Sequence, residues 1–242
     1  MSDTLYDYIP YALDDPDDPY CIHTVEEALD YINQVGFLPL FSNDIPGLSL
    51  EERTYRMDWW AMEPETDPWT WREILARSGD VVYGKFFQNK SGFVSLAWFP
   101  AFANWRRDGY DFDARWEDEL ATYRQKKIMD QFNLETEWSS YHLKRQAGFG
   151  KGGEKGFEGT VTKLQMQTYL CIGDFRRKVS KAGNEYGMAN SVYSMPERIW
   201  GYDYIAKGYK EEPEQSAARI RSFMKEHYPA AADEQVRRVI GV

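Results

Sequence analysis

FEGTVTKLQMQTYLCIGDFRRKVSKAGNEYGMANSVYSMPERIWG, residues 157–201, decides how this chain is read. Phe157, Val161, Leu164, Thr168 and Ile172 recur at helical spacing along one stripe, which predicts a helix that Gly173 ends. Two β-prone pieces, DFRRKVS and MANSVYSM, flank the turn KAGNEYG and predict a hairpin. Upstream, residues 113–132 carry Trp116, Leu120, Tyr123, Lys127 or Ile128, and Phe132 down one side of a charged segment, the pattern of a long amphipathic helix. A short second helix is predicted over 140–147, and the glycine-rich GFGKGGEKG at 148–156 separates it from the third. Helix, helix, helix, hairpin is the order of a winged helix-turn-helix.

Working outward, TVEEALDYINQV at 24–35 predicts a helix capped by Thr24, with Glu27 completing a capping box and Gly36 stopping it. SLEERTYRMDWWAM predicts a helix begun by Ser49, and DPWTWREILARSG one with Asp67 as N-cap, Pro68 at the first helical position and Gly79 after the last turn. VVYGKFF reads as a short strand, and Ser95 as the cap of an aromatic-rich helix in KSGFVSLAWFPAFANWRR. The fold class expected is α+β, mainly helical, with a winged helix-turn-helix in the C-terminal half and a helical, aromatic-rich N-terminal region. Residues 1–112 form that N-terminal region, its acidic first 20 residues loosely ordered. Residues 113–205 form the winged-helix domain, and 206–242 form C-terminal helices docked on the body.

The 242 residues are 43% apolar and 16% aromatic, ample material for a bulky core. No apolar run approaches the roughly 18 residues of a membrane span, and MSDTLYDYIP lacks the basic-then-apolar order of a signal peptide, so a cytoplasmic protein with no membrane partner is expected. Cys21 and Cys171 stand alone, and His23, His142 and His227 are scattered, so neither a metal site nor a cofactor is expected.

A net charge of −10 excludes a chain that coats nucleic acid by being basic throughout. Asp3, Asp7, Asp14, Asp15, Asp17 and Asp18 place much of the negative charge at one end. Between residues 144 and 184, however, Lys144, Arg145, Lys151, Lys155, Lys163, Arg176, Arg177, Lys178 and Lys181 outnumber Glu154, Glu158 and Asp174 by six. Together with Thr162, which turns away from the apolar stripe, these cations are the candidate nucleic-acid face, with duplex DNA the expected partner. A second candidate is the cluster Trp59, Trp60, Trp69 and Trp71, rings able to sandwich a flat ligand; beside them Asp58 and Glu63 are the candidate catalytic residues, since a carboxylate desolvated among the rings could serve as a general base.

Four pieces between Ser139 and Gly201 carry a resemblance: WSSYHLKRQAG, GGEKGFEG, TKLQMQTYLCIGDF and, most specific, VYSMPERIWG with Pro196-Glu197-Arg198 just after a strand. This quarter of the chain resembles the C-terminal winged-helix part of the AlkZ/YcaQ-type DNA glycosylases. The resemblance implies DNA binding, and DNA glycosylase chemistry if the chain is an enzyme. That family's chemistry rests on a Gln-x-Gln or Gln-x-Asp motif on an earlier segment. Here the motif falls at Gln165 and Gln167, in the third helix, so the catalytic roles do not transfer. Two readings stand beside this one. One is a non-enzymatic regulator whose winged helix meets a protein partner or the chain's own acidic end, and the other is a small-molecule binder using the tryptophans.

Overall fold

Along Val81-Val82-Tyr83 successive side chains enter two different cores, and that alternation sets the architecture. The computed structural model describes residues 8–180 and 182–242. In chain order the elements are α1 (Val25–Val35), β1 (Phe37–Pro39), α2 (Pro68–Ser78), β2 (Val81–Phe87), β3 (Lys90–Ser95), α3 (Phe99–Arg107), α4 (Phe112–Glu117) and α5 (Tyr123–Met129). There follow β4 (Glu137–Ser139), α6 (Ser140–Gln146), α7 (Phe157–Met166), β5 (Cys171–Val179), β6 (Glu185–Ser194), α8 (Pro196–Trp200), α9 (Tyr202–Ile205), α10 (Pro213–His227) and α11 (Asp233–Val239). The strands form one antiparallel sheet ordered β1-β3-β2-β5-β6-β4.

Both faces of this sheet are covered. Leu38, Val81, Tyr83, Phe93 and Ile172 pack beneath α1, α2, α5 and α7 through Ile32, Trp71, Ile128 and Leu164. Phe37, Val82, Val94 and Cys171, their alternates, pack beneath α3, α10 and α11 through Phe102, Ile220 and Val236. Period-2 strands buried on both sides read as near-continuous apolar runs, as VVYGKFF does.

The winged helix-turn-helix expected within 113–205 is not what the chain forms; the fold is α+β around this sheet. Its intended wing, β5 and β6, supplies interior strands: β2 pairs with β5 at Tyr83↔Ile172, and β4 closes on β6 from Glu137↔Ser194 to Ser139↔Val192. The third helix ends at Met166, not Gly173, because Thr168 adopts φ 62° and the chain enters β5 at Cys171. The helix that remains lies on the sheet, its Leu164 and Gln165 buried.

Three further expectations change. KSGFVS is strand β3, and Ser95 precedes α3 by several residues. SLEERTYRMDWW makes two short 3-10 turns, Glu51–Arg53 and Arg56–Asp58, because it receives the incoming chain. The buried Glu51 accepts from the N–H groups of Tyr11 and Ser42, Leu13 bridges Tyr55, and Asp14 pairs with Arg56 at 3.2 Å. Residues 8–20 therefore meet 51–56, with Ile9 and Ala12 buried, and not the basic segment after 144; Asp3 and Asp7 lie outside the described residues. Finally, the long helix over 113–132 is broken between α4 and α5 where Glu119 takes φ 59° and Thr122 starts a new capping box with Gln125.

Candidate nucleic-acid interface

The strands β5 and β6 outrun their neighbours. Among the described residues β2 pairs in register with β5 only at Tyr83↔Ile172, and β4 reaches no further along β6 than Val192. Beyond Phe175 the hairpin therefore projects, with Arg176, Arg177, Lys178 and Val179 exposed opposite Glu185–Met188. Arg176 stands across from Asn190 and Lys178 across from Tyr186, and cross-strand partners share a face. With Glu137 and Ser139 of β4, and Tyr141 and His142 from the first turn of α6, they line a cavity of about 700 Å³.

The charges in this groove are unequally engaged. Arg176 is spent internally, its guanidinium 2.6 Å from Glu137 and 2.7 Å from Asp174. Asp174 also receives Arg77 at 2.5 Å and the N–H of Phe175. Burial pushes the Asp174 carboxyl up, but these hydrogen bonds outweigh burial and hold it below the usual aspartate range. Arg177 and Lys178 enter no ion pair among the described residues. The Lys178 ammonium instead lies 4.9 Å from the centroid of the Tyr141 ring, and Ser139 Oγ sits 3.1 Å from His142 Nδ1.

The other predicted cations divide between faces. Lys144 lies over the Phe157 ring, 3.9 Å from Glu158, and Arg145 over Tyr141. Lys151 and Lys155 are exposed in the glycine-rich turn. Lys163 lines a second, shallower hollow with Arg124, Gly156 and Thr160, and Thr162 is half-buried nearby on α7. Lys181 lies outside the described residues. Sequence reasoning missed Tyr141, His142, Tyr186 and Asn190. The first two come directly before the buried Leu143, on the other side of the helix from it; the others required the hairpin register, which no local pattern supplies.

The tryptophans form a packed wall. Trp59 and Trp71 are buried, their indole N–H groups donating to Thr54 Oγ1 (2.9 Å) and the Glu65 carbonyl (3.3 Å); Trp60 and Trp69 are half-buried against each other and against Trp59 and Phe41. Asp58 is partly covered, and burial pushes its carboxyl up against the opposing charge of His23. Glu63 is exposed.

Both glutamines of QMQ are committed to the fold. Gln165 is 1% exposed, and its Oε1 accepts from the N–H of Lys85 in β2 at 3.0 Å; Gln167 Oε1 accepts from Gln125 Nε2 at 2.6 Å. Gln165→Ala strands a buried donor and is expected to cost about 1–3 kcal/mol in thermal or denaturant unfolding. An unchanged midpoint would show that the bond contributes nothing.

Pro196-Glu197-Arg198 opens α8, and its carboxylate reaches the buried Arg107 at the end of α3. The specific letters of that motif thus mark a buried ion pair joining α8 to α3, with Arg198 exposed. Among the described residues no helix is long and apolar enough to cross a membrane, and no cluster of His, Cys, Asp and Glu is arranged to hold a metal ion.

Compared with known proteins, residues 22–241 match the model of a family described as AlkZ related. No curated protein and no solved structure matches the chain. The match spans most of the sequence, from before α1 to beyond α11, and on that ground the chain belongs to the AlkZ-related family.

Proposed function

We propose that this protein binds DNA, with the groove between the projecting hairpin and the start of α6 as its contact surface. One observation carries the reading. In a chain of net charge −10, the free cations Arg177 and Lys178 converge with the exposed rings of Tyr141 and Tyr186 on a single cavity. Membership of the AlkZ-related family supports it. Lysine and arginine hold phosphates, while the rings and the Asn190 amide offer surfaces to bases. Lys144, Arg145, Lys151, Lys155, Thr162 and Lys163 extend the cationic surface onto α6, the glycine-rich turn and α7. Arg176 positions the hairpin against β4 and is the least available of the cations. The duplex that the family resemblance implies is one arm of the test. No catalytic pair is assigned, because Gln165 and Gln167 are consumed by internal hydrogen bonds.

The measurement is fluorescence anisotropy with labelled duplex and single-stranded oligonucleotides over a series of salt concentrations. Affinity is expected to fall linearly in log–log form, and exchanging Arg177 and Lys178 for Glu to lower it roughly tenfold per position while flattening the salt slope by about one per lost phosphate contact. Absent binding, or binding indifferent to salt, overturns the proposal.

A further inference from the structure

We infer that the groove takes an unpaired strand in preference to a continuous duplex; this rests on the DNA-binding reading and specifies its substrate. The two walls are chemically different. The hairpin side carries Arg177 and Lys178, which enter no ion pair among the described residues, Lys178 lying against the Tyr141 ring, whereas the side formed by β4 and the residues before it carries Glu137 and Glu135, of which Arg176 neutralises only Glu137. A duplex brings two phosphate backbones to a cleft and would set one against carboxylate; a single strand brings one backbone and turns its bases the other way.

The apolar surfaces agree with that asymmetry. Tyr141 is 49% and Tyr186 54% exposed, and both line the cavity; Tyr141 already has the Lys178 ammonium 4.9 Å from its centroid, so a base stacking there must displace that contact. A phenol ring gains by stacking on a base only if the base's π-face is uncovered, and in a duplex those faces are covered by neighbouring pairs. The Asn190 amide and the imidazole of His142, whose orientation Ser139 fixes, are polar groups of the same cavity that can meet an exposed base edge. A volume of about 700 Å³ falls in the size range of small-ligand sites and suits a few nucleotides.

The test compares a short labelled oligothymidylate with the same strand annealed to its complement, using the full chain. The single strand is expected to bind about tenfold or more tightly. Tyr141→Ala and Tyr186→Ala are each expected to weaken it by about 5- to 150-fold, the range corresponding to one lost base stack. Tyr141→Leu and Tyr186→Leu, which keep bulk without a π-face, should weaken it similarly, and circular dichroism confirms that these surface variants stay folded. Equal or tighter binding of the duplex, or tyrosine variants with unchanged affinity, overturns the inference and leaves the DNA reading standing. If neither oligonucleotide binds in a salt-dependent way, both fall.

Discussion

Arg107→Ala is expected to destabilise the protein by about 3–5 kcal/mol, the cost of leaving one member of a buried ion pair without its partner. Arg107 is 1% exposed and meets Glu197 with Nη1, which also donates to Tyr209 Oη at 3.0 Å; its Nη2 and Nε donate to the Thr168 carbonyl (2.7 Å) and Oγ1 (3.2 Å). Burial pushes this guanidinium down, but Glu197 and Tyr209 push it up by more, so it stays charged. Removing it leaves the Glu197 carboxylate, whose Oε2 is already buried without a partner, as an uncompensated charge. It also frees Thr168, a β-branched residue held at φ 62°, a conformation such side chains avoid. At roughly 2–4 °C per kcal/mol the melting temperature should fall about 6–20 °C. The double variant Arg107→Ala/Glu197→Ala should cost less than the sum of the two single changes. A single-variant loss under 1 kcal/mol would show that the pair contributes little.

Asp67→Ala should cost about 3 kcal/mol or more, because one carboxylate organises a whole turn. Oδ1 accepts from the N–H groups of Trp60 (3.0 Å) and Trp69 (2.8 Å), and Oδ2 from Met62 N–H (3.2 Å) and Thr70 Oγ1 (2.9 Å). Loss of an N-cap alone is worth about 0.5–2 kcal/mol, and each covered donor left unpaired adds to it. Trp60 and Met62 both sit near φ 61° without being glycine, so nothing intrinsic would hold the turn once the acceptor is gone. Near-ultraviolet circular dichroism reads the release of the tilted Trp59-Trp60-Trp69 cluster directly. A variant that melts at the wild-type temperature with an unchanged spectrum would refute this account. Asp67→Asn keeps one acceptor oxygen and should lose about half as much.

What the sequence made legible was local. Thr24 and Asp67 announce their helices because a capping side chain bonds within three residues, and the register needs no tertiary information. The basic cluster at 176–178 was visible as composition, and its last two members enter no ion pair among the described residues. The β2-β3 hairpin was not visible: its turn uses Gln88 and Asn89 at φ 51° and 65°, where Asn-Gly would have signalled the same geometry. The pairing of β2 with β5 joins segments far apart in sequence, which no window captures, and it turned an expected wing into sheet. The groove suffered likewise, since Tyr186 joins Lys178 only through the register of the two strands.

The strand order has a kinetic corollary. Its first three strands come from residues 37–95 and its last three from 137–194, and the halves meet at Tyr83 and Ile172. Only the hairpins β2-β3 and β5-β6 assemble from contacts close in sequence; β1 joins β3, β4 joins β6 and β2 meets β5 only after long intervening stretches of chain have been gathered in. Such late, non-local closure slows folding and exposes unpaired edges on the way, so nascent chains pass through a stage in which β2 and β5 each present an open edge to other molecules.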